Sequence, residues 1–126
     1  MLEKNLQLLI CNYLKVKYPK AIFRSDFASG MRMSIGMARR HKALQSSRAY
    51  PDIFIAAPVG KYCGLFIELK KKGTVVYKKD GTIRKDAHLI EQEAMLLKLF
   101  NQGYQAIFGI GYADTIKKID KYFEGD

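Results

Sequence analysis

Two short stretches constrain this chain most: Asp52-Ile53-Phe54-Ile55-Ala56-Ala57 and Cys63-Gly64-Leu65-Phe66-Ile67-Glu68-Leu69-Lys70. Each is apolar at consecutive positions rather than alternate ones and rich in β-branched or aromatic residues, the pattern of strands buried on both faces. Pro58-Val59-Gly60-Lys61 turns between them, so they read as a central antiparallel hairpin. Charge stands only at their ends: Asp52 opens the first, and Glu68 and Lys70 close the second. Ion pairs on a strand end are common and worth little. At the edge of a buried strand, however, a charge is costly unless it has a partner or a task.

The remaining segments build a domain around that hairpin. Residues 2–18 carry Leu2, Leu6, Leu9, Ile10 and Tyr13 at helical spacing, and Pro19 stops the run. Residues 21–27 can form a first strand. Residues 28–50, rich in Gly, Met, Arg and Ser, read as a mobile or partly helical basic segment. A second, more polar hairpin is expected from residues 74–77 and 82–84 around Asp80-Gly81, a pair that tolerates positive φ. Asp86 is a plausible N-cap for a helix over residues 87–102, with Leu89, Ile90, Leu96, Leu97 and Phe100 as its apolar stripe and Gly103 at its end. A last core strand follows at 106–110, where Gly109 and Gly111 shape the strand end, and a closing helix at 113–123. Residues 1–126 thus read as one α/β domain.

Composition narrows the function. A chain of 126 residues, 48% hydrophobic and 27% charged, suits one soluble globular core. No apolar run approaches the ~20 residues of a membrane span, and the first residues lack the order of a signal peptide. Cys11 and Cys63 have no CxxC partner and read as two buried, reduced thiols, which points to the cytosol, or a host's cytosol if the chain is viral. Formal net charge is +10 and the pI is about 9.6, values that favour a polyanionic partner. The charge is uneven: residues 1–79 hold sixteen Lys/Arg against the four acids Glu3, Asp26, Asp52 and Glu68, whereas residues 80–126 hold six against eight. A surface that binds phosphates excludes carboxylates unless they have a role, and two of those four acids end the buried strands.

Carboxylates at such positions suit phosphodiester hydrolysis. Hard divalent cations relieve the charge of the transition state and prefer carboxylate, carbonyl and water oxygens. Adjacent antiparallel strands can bring Asp52 and Glu68 to the same end of the sheet. Glu68 and Lys70, two apart, share a face, so an ammonium can stand beside the carboxylate. Leu69 points into the core, yet its carbonyl can offer another oxygen.

Together, Pro51-Asp52-Ile53-Phe54-Ile55 and Gly64-Leu65-Phe66-Ile67-Glu68-Leu69-Lys70 resemble the core motif of the PD-(D/E)XK nuclease superfamily. More narrowly, the chain resembles the VRR-NUC family, the virus-type replication–repair nuclease domain. Glu3 in the first helix, the basic stretch before Pro51, Glu91-Gln92 in the second long helix, and Leu99-Phe100-Asn101-Gln102-Gly103-Tyr104-Gln105-Ala106 extend the resemblance over nearly the whole chain. It implies a restriction-endonuclease-like fold: a central mixed four-stranded sheet flanked by helices, with an inserted β-hairpin. It also implies that Asp52, Glu68 and the Leu69 carbonyl hold Mg²⁺ or Mn²⁺, with Glu3 completing the set and Asp26 competing for that place. Lys70 would be the catalytic lysine, and Gln92 would orient water or phosphate. Two features depart from the family: Ser46-Ser47-Arg48-Ala49-Tyr50 lacks the usual glycine before Pro51, and residues 71–85 replace a short loop.

The implied activity is a DNA endonuclease that selects structure over sequence, acting as a homodimer on branched DNA such as four-way (Holliday) junctions. A nicking or flap endonuclease on simpler DNA and a non-catalytic nucleic-acid-binding module are the alternatives. Arg32, Arg39, Arg40, Lys42, Arg48, Lys71 and Lys72 are the candidate phosphate contacts. His41 and His88 lack zinc-ligand spacing, and no cofactor beyond the metal is expected. Met31, Met33 and Met37 in a polar segment suggest a dimer interface.

Overall fold

The computed structural model describes residues 3–27 and 32–125, with the side chains of residues 3 and 4 outside that description. Its elements run α1 (Glu3–Lys17), β1 (Phe23–Ser25), α2 (Ile35–Ala43), β2 (Ile53–Ile55), β3 (Leu65–Lys70), α3 (Ala87–Asn101), β4 (Gln105–Ile110) and α4 (Gly111–Glu124). The strands form one mixed sheet in chain order, β1-β2-β3-β4. β1 and β2 pair antiparallel, as do β2 and β3, and β4 joins β3 in parallel. A parallel neighbour needs a crossover, and α3 supplies it. No helix among the described residues is long and apolar enough to cross a membrane.

The two faces of β3 explain its unbroken apolar sequence. Leu65, Ile67 and Leu69 turn to one face with Ile53 and Ile55, where Leu6, Ile10 and Leu14 of α1 and Ile119 and Tyr122 of α4 cover them. Phe66, Glu68 and Lys70 turn to the other. There Phe108 of β4 packs with Leu89 and Leu96 of α3 and with Val76, and Ala106 and Ile110 close around them. The sheet therefore lies between α1 with α4 and α3. Because each face of β3 is covered, five of its six residues are buried, which period-2 alternation would not allow.

Several sequence expectations change in detail. The second hairpin shrinks to one bridge, Tyr77↔Ile83, with Asp80-Gly81 at its turn and Gly81 at φ 85°. The α3 stripe narrows: Leu89 and Leu96 are buried, but Ile90, Leu97 and Phe100 are 44–55% exposed. Only one side of a lone helix meets the sheet, and Ile90 and Leu97 lie one step around it. On α1, Leu14 joins the core, while Leu9 is 39% exposed. Neither thiol is buried as expected: Cys11 is half-buried, and Cys63 is exposed just before the chain enters β3. Residues 28–31, Met31 among them, lie outside the described residues. Gly109 and Gly111 do shape a strand end: a Cβ at Gly109 would strike the buried Thr115, and Gly111 turns into α4 at φ 77°.

Candidate active site

The β2–β3 register pairs Ile53 with Ile67 and Phe54 with Phe66. Carried one residue further, it sets Asp52 opposite Glu68, on the same face as Phe54 and Phe66. Both carboxylates are buried, 8% and 6% exposed. Taking carboxylates out of water is unfavourable unless hydrogen bonds replace it, and each has one from the fold. Asp52 Oδ2 accepts the Leu69 backbone N–H at 2.8 Å, and Glu68 Oε1 accepts from Gln92 Nε2 at 2.8 Å. Lys70 follows two residues after Glu68 on the same face, at the half-buried end of β3.

Gln92 reaches Glu68 because α3 begins at a defined place. The Asp86 carboxylate accepts from the N–H groups of His88 and Leu89 and starts the helix, as expected for an N-cap. Gln92 then falls within the second turn, facing the sheet. Its Oε1 is buried and accepts no hydrogen bond from the described residues. Such an orphaned acceptor costs about 1–3 kcal/mol, which a water or hydroxyl donor at the site relieves.

Asp52 is also held through its backbone. Its carbonyl accepts from Asp26 N–H at 2.7 Å and from Ser25 Oγ at 3.2 Å. Gln7 of α1 donates to Ser25 Oγ and, at 2.7 Å, to the Asp26 carbonyl. His41 of α2 meets Asp26 Oδ1 at 3.3 Å. This ties α1 and α2 to the β1 end of the site. Sequence reasoning missed both Gln7 and His41; a polar Gln between Leu6 and Ile10 on an inward helical face was the available signal for the first. The Glu3 side chain lies outside the described residues, so its metal role stays an expectation.

The candidate basic residues are exposed. Arg32 precedes α2, and Arg39, Arg40 and Lys42 lie exposed along it. Lys71 and Lys72 are exposed where β3 ends. Arg48 forms an exposed ion pair with Glu91 at 2.9 Å, joining the loop before Tyr50 to α3 one residue from Gln92. His88 is exposed. Leu69 has its side chain fully buried in the core, as expected.

Among the described residues, no three His, Cys, Asp or Glu side chains gather as a ready metal cage. The ligands that do gather are hard oxygens: two buried carboxylates, with the orphaned Oε1 of Gln92, whose amide N–H donates to Glu68. That set fits Mg²⁺ or Mn²⁺ bound through one or two carboxylates with water completing the shell, and it does not fit a soft, thiolate-seeking ion.

No known protein-family description matches the sequence, and no curated protein matches it. A solved structure described as a VRR_NUC domain protein does match in three dimensions, with a TM-score of 0.69 and 22% sequence identity over 100% of this chain and 91% of its own. At that identity the likeness establishes the fold: a mixed four-stranded sheet with flanking helices, shared from end to end.

Proposed function

We propose that this chain is a VRR-NUC-type nuclease, one domain over residues 1–126, that hydrolyses DNA phosphodiester bonds with a divalent cation. The observation that carries the reading is Asp52 opposed to Glu68 on one sheet face, with Lys70 beside them and Gln92 hydrogen-bonded to Glu68. The shared fold and the basic character of residues 1–79 support it.

Asp52, Glu68 and the Leu69 carbonyl would hold Mg²⁺ or Mn²⁺, with Glu3 as the further acid. When bound, the ion supplies Lewis acidity and charge relief at neutral pH. The chain's own groups do the positioning. The Leu69 N–H fixes one Asp52 oxygen and so aims the other. Gln92 holds Glu68 by its amide N–H and offers its carbonyl oxygen to the attacking water. Lys70 presents an ammonium to the phosphate as charge develops. The water oxygen bonds to phosphorus, the bond from phosphorus to the leaving oxygen breaks, and that oxygen takes up a proton.

Branched DNA and a homodimer extend the same reading. α2 buries none of its residues, and Ile35, Met37 and Leu44 are 50–75% exposed on or beside it, which supports a second copy covering them. Two sites related by a two-fold axis suit paired cuts in a four-way junction.

The test offers labelled linear duplex, flap and four-way junction DNA with Mg²⁺, Mn²⁺ or chelator, alongside Glu68→Ala and Lys70→Ala. Metal-dependent cleavage is expected, with each variant at least about a hundredfold slower. Binding without metal-dependent cleavage of any substrate defeats the enzyme reading. Single asymmetric cuts by a sedimenting monomer defeat only the dimeric version.

A further inference from the structure

An aromatic cluster adjoins the two carboxylates on the same sheet face. Phe54 and Phe66 stack at 4.4 Å between ring centroids and 23° between planes. Tyr104 stands edge-on to both, at 5.9 and 5.1 Å. Gly64 makes room for this slab, since a Cβ there would approach the Phe54 ring and the Ile55 carbonyl to 2.9 Å. Along each strand the slab is two residues from Asp52 or Glu68, one pleat repeat of roughly 7 Å.

Tyr50 is the outermost ring. It stands perpendicular to Phe66, at 5.6 Å and 86°, and remains 45% exposed. Its backbone is unusually constrained for a loop residue. Ala49 before it is the one non-glycine residue at positive φ among the described residues, 63°, and Pro51 after it disfavours the helical region for Tyr50. The Arg48–Glu91 pair anchors the same loop to α3. A half-exposed ring held upright beside a phosphodiester site offers more than a hydroxyl that can reach a phosphate oxygen. It has the chemistry for a base, whose π-face stacks on aromatic side chains whatever its identity.

We propose that Tyr50 is a base-stacking residue, receiving a nucleobase beside the phosphodiester presented to Asp52, Glu68 and Lys70. The inference rests on the nuclease reading of that site. A base can reach Tyr50 only after leaving its own stack, so the site favours strands carrying an unpaired nucleotide next to the cleaved bond.

The test uses DNA with 2-aminopurine, a base whose fluorescence reports stacking, beside the bond that the wild-type protein cuts, in gapped and fully paired forms. Binding is read under chelator and cleavage with metal. Tyr50→Leu keeps the apolar contact with Phe66 and removes the π-face; Tyr50→Phe keeps both. Tyr50→Leu should raise KM on gapped DNA about five- to hundredfold with kcat nearly unchanged, and abolish the binding-dependent change in 2-aminopurine signal. Tyr50→Phe should behave as wild type. Tyr50→Trp should bind the gapped DNA more tightly, and decides the matter if Tyr50→Leu does not fold. Unchanged KM and fluorescence in Tyr50→Leu, an equal loss on fully paired duplex, or no tightening in Tyr50→Trp overturns the proposal. A wild-type protein that neither binds nor cuts DNA defeats the nuclease reading instead.

Discussion

The amide of Gln92 donates to Glu68 across 2.8 Å, and through that one bond the position of α3 controls the orientation of a strand carboxylate. A group that orients a metal-ligating carboxylate is worth about 10–100-fold in activity or metal affinity. Gln92→Ala should therefore lower kcat or weaken the Mg²⁺ dependence by that factor. Metal titration of cleavage measures it, and unaltered kinetics would remove Gln92 from the site. Asp52, Glu68 and Lys70 were legible because charge at the end of an apolar run contradicts burial unless something compensates. Gln92 could be named but not joined to Glu68, since 24 residues separate them. The contacts of Gln7 and His41 with Asp26 were not legible at all, because a polar side chain on a helix carries no sign of the neighbour it will meet.

At the scale of elements, the caps read more clearly than the faces. Asp86 was recognisable as an N-cap, and its pKa is lowered chiefly by the Leu89 N–H, helped by His88 N–H and opposed by partial desolvation. A depressed folded value means that the cap contributes stability above the unfolded value near 3.8 and loses it as pH falls through the folded value. Thermal melts should show Asp86→Ala less stable than wild type at about pH 7, with the gap narrowing as pH falls below 3.8 and through the depressed folded value. A gap that persists in acid would mean that the cap acts through something other than its charge. The edge strand β4 shows what caps cannot reveal. Asp114 accepts from the Ile110 N–H and Lys118 donates to the Phe108 carbonyl, so side chains of α4 occupy edge groups that another strand would otherwise pair with. The apolar stripe of α3 misled because sequence periodicity marks which residues share a side, not how wide a surface they will meet.

For the whole molecule, the uneven charge is the property most directly convertible into a measurement. Arg39, Arg40 and Lys42 lie exposed along α2, which His41 ties to Asp26 at the β1 end of the site. If α2 follows a DNA backbone, log K against log salt should be steep, and Arg39→Ala with Arg40→Ala should lessen the slope by about 2. A slope unchanged in the double variant would place α2 away from the DNA. The sequence by itself determined the buried central hairpin, the helix boundaries set by Pro19, Asp86 and Gly103, the charge asymmetry and the place of Asp52, Glu68 and Lys70 at the ends of buried strands. These are local properties, readable wherever hydrophobicity and backbone preference act within a few residues. Tertiary structure alone decided that β4 runs parallel to β3, that Gln92 meets Glu68, that α2 lies outside the core, and that Tyr50 stands on Phe66 beside the carboxylates. Each of those depends on packing between segments distant in the chain, where the outcome belongs to the pair and not to either sequence.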